Sequence, residues 1–151
     1  MAATYNNLYL DARKRLREAG VEGAQLEARE LVCCAAGKSR EQFYRDMALY
    51  ASDPVEEKLA ELLERRLAGE PVAYLIGEWE FYGLGLDITP DVLIPRMDTE
   101  VLAERAILLA RAAGEGARVL DLCAGSGCVG LAVAANVPGC RVVLADVSAV
   151  S

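Results

Sequence analysis

The clearest structural pattern in the chain lies in one segment, Val119-Leu120-Asp121-Leu122-Cys123-Ala124-Gly125-Ser126-Gly127-Cys128-Val129-Gly130. Its first residues are apolar and suit a buried strand of a parallel sheet. Gly125 and Gly127 follow the strand and let the backbone approach a ligand where any side chain would block it. The residues after them are apolar again and predict a helix. A strand, a glycine loop and a helix in this order are typical of an α/β domain that binds a cofactor at the loop.

The spacing of the glycines alone leaves two kinds of cofactor open. Gly125-x-Gly127-x-x-Gly130 matches the dinucleotide fingerprint, which indicates NAD. Asp121 argues against NAD, because a carboxylate at the end of the strand would face the pyrophosphate across a short gap. The same carboxylate suits a cofactor that carries an ammonium group or a sulfonium charge. S-adenosyl-L-methionine carries both, so we predict this cofactor and keep NAD as the alternative.

A second strand completes a βαβ unit around the glycine loop. We predict strands over 118–122 and 140–145, with the helix between them ending at about Val137. Asp146 follows the second strand, and its distance from Asp121 loosely fits the usual interval of roughly 20 residues. Because both strands point their carboxyl ends at the same crevice, we expect Asp146 to meet the ribose hydroxyls of the cofactor.

The composition excludes several classes of function. The chain has 151 residues, 54% of them apolar, which is enough for a packed core. Its 16 basic and 23 acidic residues give a net charge of -7, so we expect no direct binding of nucleic acid. There is no histidine in the sequence, which removes the commonest general base and metal ligand. We therefore expect no metal site, and neither zinc hydrolase nor Ser-His-Asp chemistry.

The cysteines and the apolar runs indicate a cytoplasmic protein. Five cysteines form no C-x-x-C pair, and the chain begins with no secretory leader. We expect all five to be small apolar core residues in a reducing compartment. No apolar run approaches the length needed to span a bilayer, so no association with a membrane is expected.

The amino-terminal part of the chain, 1–70, predicts a bundle of four helices that docks a protein partner. Its charged residues are mixed in sign, which suits a protein surface better than phosphates. Gly20 follows the first helix and Gly37 follows the second. A capping box of Ser39 and Gln42 precedes a third helix, which reaches about Tyr50. Asp53-Pro54-Val55-Glu56 precedes a fourth helix, which ends at Gly69. In the last of these we take Asp53 as the helix cap and Pro54 as the first helical residue.

The segment 71–95 has a different pattern and predicts a hairpin linker. Its apolar runs lie at 72–76, 79–82 and 86–89, with glycines between them. Asp98 is a candidate cap for the amphipathic helix that follows and stops at Gly114. The fold expected is α/β with three parts: the helical domain at 1–70, the hairpin linker at 71–95, and the start of a Rossmann-like domain at 96–151.

Three blocks of sequence carry a specific resemblance to a known family. They are Gly69-Glu70-Pro71-Val72-Ala73-Tyr74-Leu75-Ile76-Gly77 with Glu80-Phe81-Tyr82-Gly83, then Val92-Leu93-Ile94-Pro95-Arg96-Met97-Asp98-Thr99-Glu100, then 119–127. The chain resembles the bacterial release-factor glutamine methyltransferases from about residue 7 to its last residue. It departs from them at Met97, where the family usually has a second proline. Cys123 also replaces the first glycine of the common Asp-x-Gly-x-Gly-x-Gly pattern, which implies a slightly stiffer loop.

The resemblance implies a reaction and a set of site residues. The reaction is methyl transfer from S-adenosyl-L-methionine to the side-chain amide of the glutamine in the Gly-Gly-Gln loop of a peptide chain release factor. The residues that would bind the cofactor are Asp121, Cys123, Ala124, Gly125, Ser126 and Gly127 at the methionine end, Asp146 at the ribose, and Phe81 and Thr99 along the approach. Arg96 would line the approach to the substrate glutamine. For Phe81, Arg96 and Thr99 the structural alternatives are a hairpin core residue, a surface ion pair and a helix-cap contact.

The resemblance also implies a part that is not in this sequence. The family grips the substrate amide with an Asn-Pro-Pro-Tyr loop after the fourth strand of its class I methyltransferase domain, and the chain stops at Ser151 without that motif. We therefore assign no catalytic residue and interpret the domain as truncated after its second strand. We expect the chain alone to be inactive and a full-length parent to be active.

Other functions stay open on sequence alone. A close relative of the family methylates a glutamine in a ribosomal protein, and the Gly-x-Gly-x-x-Gly match allows an NAD-dependent oxidoreductase. The helical domain also allows a non-catalytic fragment that binds a release factor. Methylation of adenine in nucleic acid is disfavoured by the acidic charge balance. We expect a monomer.

Overall fold

The computed structural model describes residues 2–151 and has a mixed α/β fold. It divides into two compact units, the first reaching Ile76 and the second running from Gly77 to Ser151. The helices are α1 (Tyr5–Glu18), α2 (Ala24–Ala36), α3 (Arg40–Asp46), α4 (Asp53–Leu67), α5 (Val72–Ile76), α6 (Thr99–Ala113) and α7 (Cys128–Asn136), and the strands are β1 (Glu78–Phe81), β2 (Leu84–Asp87), β3 (Arg118–Leu122) and β4 (Arg141–Ala145). Within residues 2–151, none of the helices is both long and apolar enough to cross a membrane.

The first unit is a small helical bundle centred on α2. This helix packs against α1, α4 and α5. Leu16, Leu31 and Val32 are among its fully buried side chains, as the apolar stripes of the sequence require. An ion pair between Glu27 and Arg66 also joins α2 to α4, with 2.7 Å between Oε2 and Nε. The helical character expected for this region is therefore confirmed.

A second polar contact closes the turn around α3. The buried carboxylate of Asp46 accepts a hydrogen bond from Arg45 Nε at 2.8 Å and one from Lys38 Nζ at 2.7 Å. The hydrogen bond from Arg45, and after it the one from Lys38, holds the pKa of Asp46 well below its usual range. The carboxylate is therefore charged and paired at neutral pH, as a buried acid must be.

The caps of α3 and α4 differ in how well they follow the sequence. The capping box of Ser39 and Gln42 is formed as predicted, with both reciprocal bonds present. The third helix, expected to reach Tyr50, ends at Asp46 because residues 47–50 turn to hydrogen-bond the amino-terminal segment; Leu49, for example, accepts from the amide of Tyr5 at 3.0 Å. For α4, the cap assigned to Asp53 is wrong. Ser52 holds that position, and Asp53 is the first helical residue.

The apolar run at 72–76, expected to belong to the hairpin linker, instead forms the short helix α5. Pro71 begins the turn, and its carbonyl accepts from the amides of Tyr74 at 3.1 Å and Leu75 at 3.2 Å. Val72 and Ala73 are buried, and α5 packs on α2 and α4. Tertiary packing has overridden the strand preference of these residues. The residues expected to form one linker are consequently shared between the two units.

The second unit contains a hairpin and a βαβ unit. Strands β1 and β2 pair antiparallel from Glu78↔Asp87 to Phe81↔Leu84, which confirms a hairpin with a two-residue turn at Tyr82 and Gly83. Both turn residues have positive φ, +50° and +75°, as the twist-matched hairpin turn requires. Strands β3 and β4 pair parallel, with α7 between them in sequence.

The core of this unit lies between α6 and α7. It is formed by Ile107, Ala110, Val133 and Val137, which we call the α6–α7 cluster. Tyr82 of the hairpin packs against the cluster, as do Val119 of β3 and Val142 of β4. The hairpin, both helices and both parallel strands therefore share one apolar core.

The capping box offers a test of how much one local hydrogen-bond pair stabilises the first unit. Ser39→Ala removes an acceptor for the amide of Gln42, which lies 3.1 Å away. We expect the free energy of unfolding to fall by about 1 kcal/mol. Urea unfolding followed by far-ultraviolet circular dichroism measures the change.

Ser52→Ala is the matched control, because Ser52 stands at the cap position of α4 but its side chain makes no cap hydrogen bond. It should cost much less than Ser39→Ala. Equal losses for the two variants would contradict the role given to the capping box.

Candidate cofactor site

The parallel pairing of β3 and β4 brings the predicted cofactor residues to one edge. Asp121 pairs with Leu144 and Leu122 with Ala145, so the two strands end side by side. The glycine loop begins directly after β3, and its Ala124 amide donates to the carbonyl of Ala145 at 3.0 Å. The loop and Asp146 are therefore adjacent, at the edge of the sheet where α/β proteins bind their ligands.

Asp146 fastens the glycine loop to the tip of β4. Its Oδ2 accepts from the amide of Gly125 at 2.8 Å, and its Oδ1 accepts from the amide of Ser148 at 2.9 Å. The hydrogen bond from Ser148, then that from Gly125, lowers the pKa of Asp146 from its ordinary value. The group is charged at neutral pH, and its contacts stabilise the loop until the pH falls through that lowered pKa. A carboxylate has about four acceptor sites, so the exposed side chain can still accept a bond from a hydroxyl.

Asp121 caps the helix that follows the loop. Its Oδ2 accepts from the amide of Gly130 at 2.9 Å. Gly130 is the third residue of α7, and the first amides of a helix have no acceptor within the helix itself. Gly127, at the cap position, has no side chain that could serve. The carboxylate of the preceding strand does this instead, while Oδ1 has no hydrogen-bond partner in the part of the chain that the structure describes.

The other two glycines of the motif, Gly127 before α7 and Gly130 within it, lie against the side chain of Leu144. A Cβ on Gly127, whose φ is +79°, would lie 2.8 Å from Leu144 Cδ1. A Cβ on Gly130 would clash with the side chain of Leu144 and lie 3.1 Å from Asp121 Oδ2. The glycines therefore let α7 approach β4 closely. This packing accounts for Gly127 and Gly130 without reference to a dinucleotide.

Gly125 differs from the other two, because open space surrounds it. A Cβ there would meet nothing within 4 Å, although the φ of +57° still favours glycine. The backbone of the loop is thus uncovered at the residue that Asp146 holds. A ligand can approach it directly, as the sequence pattern predicts.

Cys123 is the loop residue that departs most from expectation. We expected all five cysteines in the core, but Cys123 is exposed, whereas Cys33 and Cys128 are buried. Its φ is +59°, in the left-handed region that costs a residue with a Cβ roughly 1 kcal/mol. The glycine usual in the common pattern would adopt this conformation without strain. The stiffer loop expected from this sequence change stays a prediction.

The three residues assigned to the approach lie in different environments. Phe81 is 1% exposed and packs in the core, as its structural alternative requires. Arg96 is exposed, and Thr99 is half-buried as the first residue of α6, where its amide donates to the carbonyl of Arg96 at 3.1 Å. Asp98 holds the cap position of α6 but makes no side-chain cap bond. A role for Phe81, Arg96 and Thr99 in binding stays a prediction.

Two residues that matter to the geometry were missed by sequence reasoning. Leu144 sets the space above Gly127 and Gly130, and only the pairing of β4 with β3 places it there. Glu100 accepts a hydrogen bond from the amide of Tyr82 at 2.9 Å and so joins α6 to the hairpin. Its position in the family block at 92–100 was the signal that could have drawn attention to it.

The parallel pair presents an uncovered apolar face. Leu120 and Leu122 of β3 are 63% and 71% exposed, and Val143 of β4 is 60% exposed. A shallow groove on this face is lined by Arg118, Val119, Leu120, Arg141 and Val143. Parallel sheets are normally covered on both faces, so this surface is of the kind that further protein covers.

Comparison with known proteins finds two families that match different parts of the chain. Residues 7–77 match the family described as PrmC N-terminal domain, and residues 95–151 match the family described as lysine methyltransferase. A release factor glutamine methyltransferase of Bordetella pertussis is 46% identical over 131 residues, which is 83% of this chain and 46% of that protein. The chain is therefore similar to proteins named release factor glutamine methyltransferase.

Other members give the same extent of similarity. The release factor glutamine methyltransferase of Geobacter sulfurreducens is 40% identical over 87% of this chain and 45% of its own length. That of Salmonella typhimurium is 39% identical over 90% of this chain and 48% of its own length. The chain therefore spans about half the length of the curated relatives it matches. The family resemblance expected from the three sequence blocks is confirmed.

The close approach of α7 to β4 can be tested at Gly130. Gly130→Ala would gain up to about 1 kcal/mol in helix propensity, but it would crowd both Leu144 and the Asp121 carboxylate. Overpacking costs about 1–3 kcal/mol, so we expect the variant to be less stable. Urea unfolding measures whether the free energy of unfolding rises or falls.

Gly85→Ala is the control, because a Cβ there meets nothing within 4 Å and no positive φ is involved. It should leave the stability equal or slightly higher, since glycine weakens a strand. A stability gain at Gly130 as well would contradict the packing explanation.

Proposed function

We propose that this chain is the cofactor-binding, amino-terminal portion of a protein glutamine methyltransferase. The methyl donor is S-adenosyl-L-methionine, and the substrate is the side-chain amide of the glutamine in the Gly-Gly-Gln loop of a peptide chain release factor. The observation that carries the proposal is the pairing of Asp146 with the amide of Gly125, in a chain whose relatives are named release factor glutamine methyltransferases. This hydrogen bond places the ionised carboxylate of Asp146 beside the backbone of Gly125, where the space is open.

The residues of this edge fit the proposed cofactor. Asp121 keeps Oδ1 for the ammonium group of the methionine end, while its Oδ2 caps α7. The loop from Cys123 to Gly127 offers backbone, and the space at Gly125 is open. Asp146 accepts from the ribose hydroxyls. When bound, the cofactor supplies an electrophilic methyl group, and the residues of this chain hold and orient it.

The same geometry disfavours NAD. Two carboxylates, Asp121 and Asp146, hydrogen-bond to backbone at and just after the loop where a pyrophosphate would have to lie. Each would repel the phosphate charges at short range. The third glycine of the fingerprint, Gly130, is accounted for by its packing against Leu144. The oxidoreductase alternative therefore rests on spacing alone.

Recognition of the substrate is proposed for the whole protein, because the chain spans about half the length of the relatives it matches. The family resemblance implies an Asn-Pro-Pro-Tyr loop that accepts hydrogen bonds from the target amide, and this sequence has none. The apolar face of β3 and β4, with Leu122 71% exposed, supports a domain in which further protein covers the sheet. We propose methyl transfer for such a complete protein, with the helical unit helping to hold the release factor.

The choice of cofactor can be tested by calorimetry on the chain. We expect S-adenosyl-L-methionine and its demethylated product to bind and NAD not to bind. Asp146→Asn removes the charge that the loop amide and the ribose share, and a charged hydrogen bond contributes about 1.5–3 kcal/mol. The dissociation constant should rise by about tenfold or more.

Asp87→Asn serves as the control, because Asp87 is an exposed acid at the end of β2. It should leave the affinity unchanged. Tighter binding of NAD than of S-adenosyl-L-methionine would overturn the proposed cofactor.

The substrate can be tested with a chimera in which residues 1–151 are followed by the remaining part of the Bordetella pertussis relative. Incubated with a release factor and methyl-labelled cofactor, the chimera should label the glutamine of the Gly-Gly-Gln loop, because the donor and the amide grip are then in one protein. Peptide mass spectrometry locates the label. A release factor with that glutamine changed to alanine should stay unlabelled.

Two results would contradict the proposed substrate. One is label on lysine, which the second family description would favour. The other is label on a ribosomal protein in preference to the release factor. The unaltered Bordetella pertussis protein is the positive control for the assay.

A further inference from the structure

We propose that Glu100 is a positioning residue of the cofactor site, which holds the β1–β2 turn against the start of α6. The inference rests on the proposed function, since Phe81 and Thr99 are the residues it would position. Glu100 itself touches neither the loop nor the proposed cofactor position. It acts through the backbone of Tyr82, whose amide donates to its Oε1 at 2.9 Å.

The amide of Tyr82 needs an acceptor from outside the hairpin. Phe81 and Leu84 are the last residues paired across the two strands, so Tyr82 lies in the turn beyond the ladder. Its φ of +50° is unusual for a residue with a Cβ and costs roughly 1 kcal/mol. The side-chain oxygen of Glu100 supplies this acceptor and so stabilises a strained turn at the amide that needs it.

The start of α6 also lacks the usual device that fixes a helix end. Asp98 stands at the cap position but forms no side-chain cap bond. Glu100, in the first turn, directs its carboxylate to Tyr82. The contact with the hairpin therefore adds to the backbone bond from the Thr99 amide to the Arg96 carbonyl in holding Thr99 in place.

The contact connects these elements to the glycine loop through the core. The ring of Tyr82 packs against the α6–α7 cluster, and Val133 of that cluster lies on α7. Helix α7 begins at the loop, with Gly127 as its cap residue. A hairpin released from α6 would thus loosen the packing that places Phe81 and Thr99 relative to the loop.

The length of the side chain distinguishes positioning from simple charge. Glu100→Gln keeps an oxygen acceptor at the same reach, whereas Glu100→Asp keeps the charge but shortens the side chain by one methylene. If Glu100 acts by positioning, Gln should rescue and Asp should not. If it acts only as an acid in the first turn of a helix, Asp should rescue and Gln should not.

The experiment measures two quantities in the same variants of the chain. Hydrogen exchange of the Tyr82 amide, followed by NMR without ligand, reports the contact. Calorimetry with S-adenosyl-L-methionine reports its effect on the site. Glu100→Ala and Glu100→Asp should each speed the exchange by about tenfold and raise the dissociation constant by about tenfold, as loss of a charged hydrogen bond predicts. Glu100→Gln should stay within about threefold of the unchanged chain in both.

Glu104→Ala is the matched control, because Glu104 is an exposed acid on the same helix. It should change neither quantity. If Glu100→Ala fails to fold, the opposite results expected for Asp and Gln still decide the matter.

The outcomes separate this inference from the proposed function. Faster exchange with unchanged affinity would overturn the positioning role and leave the cofactor assignment standing. Unchanged exchange in Glu100→Asp, or rescue by Asp with loss in Gln, would also overturn it. Absence of binding by the unchanged chain would contradict the proposed cofactor and this inference together.

Discussion

The close approach of α7 to β4 is the constraint on which the second unit depends. Gly127 and Gly130 lie against Leu144, whose side chain a Cβ at either position would crowd. Asp121 then reaches the amide of Gly130 and caps the helix from the neighbouring strand. The packing against Leu144 and the cap from Asp121 thus both act at Gly130. Together they fix where the glycine loop leaves β3 and where it enters α7.

The loop that results is held at its other side by Asp146. Its bond to Gly125 joins the tip of β4 to the only one of the three loop glycines that has open space above it. The backbone of Gly125, with open space beside it, and the charged carboxylate of Asp146 therefore lie next to each other. This arrangement suits a cofactor with ribose hydroxyls and a cationic end, and it opposes a ligand whose nearest groups are phosphates.

Particular residues show how far local pattern predicts this protein. The capping box at Ser39 and the hairpin turn at Tyr82-Gly83 were predictable, because their physics lies within a few residues. The run at 72–76 was assigned to the hairpin linker but forms a helix, since burial of Val72 and Ala73 against α2 and α4 decided the conformation. The expectation that Cys123 lies in the core was wrong, because its exposure and its φ of +59° follow from the course of the loop.

The sequence by itself determined the order of strand, loop and helix, the acids at the ends of both strands, and the family resemblance, because each depends on residue type and spacing along the chain. What those acids contact depends on the packing of the folded chain. Asp121 lies nine residues from its partner Gly130, and Glu100 lies 18 residues from its partner Tyr82. Such contacts depend on how separate elements pack, and a linear pattern does not encode the distance between them.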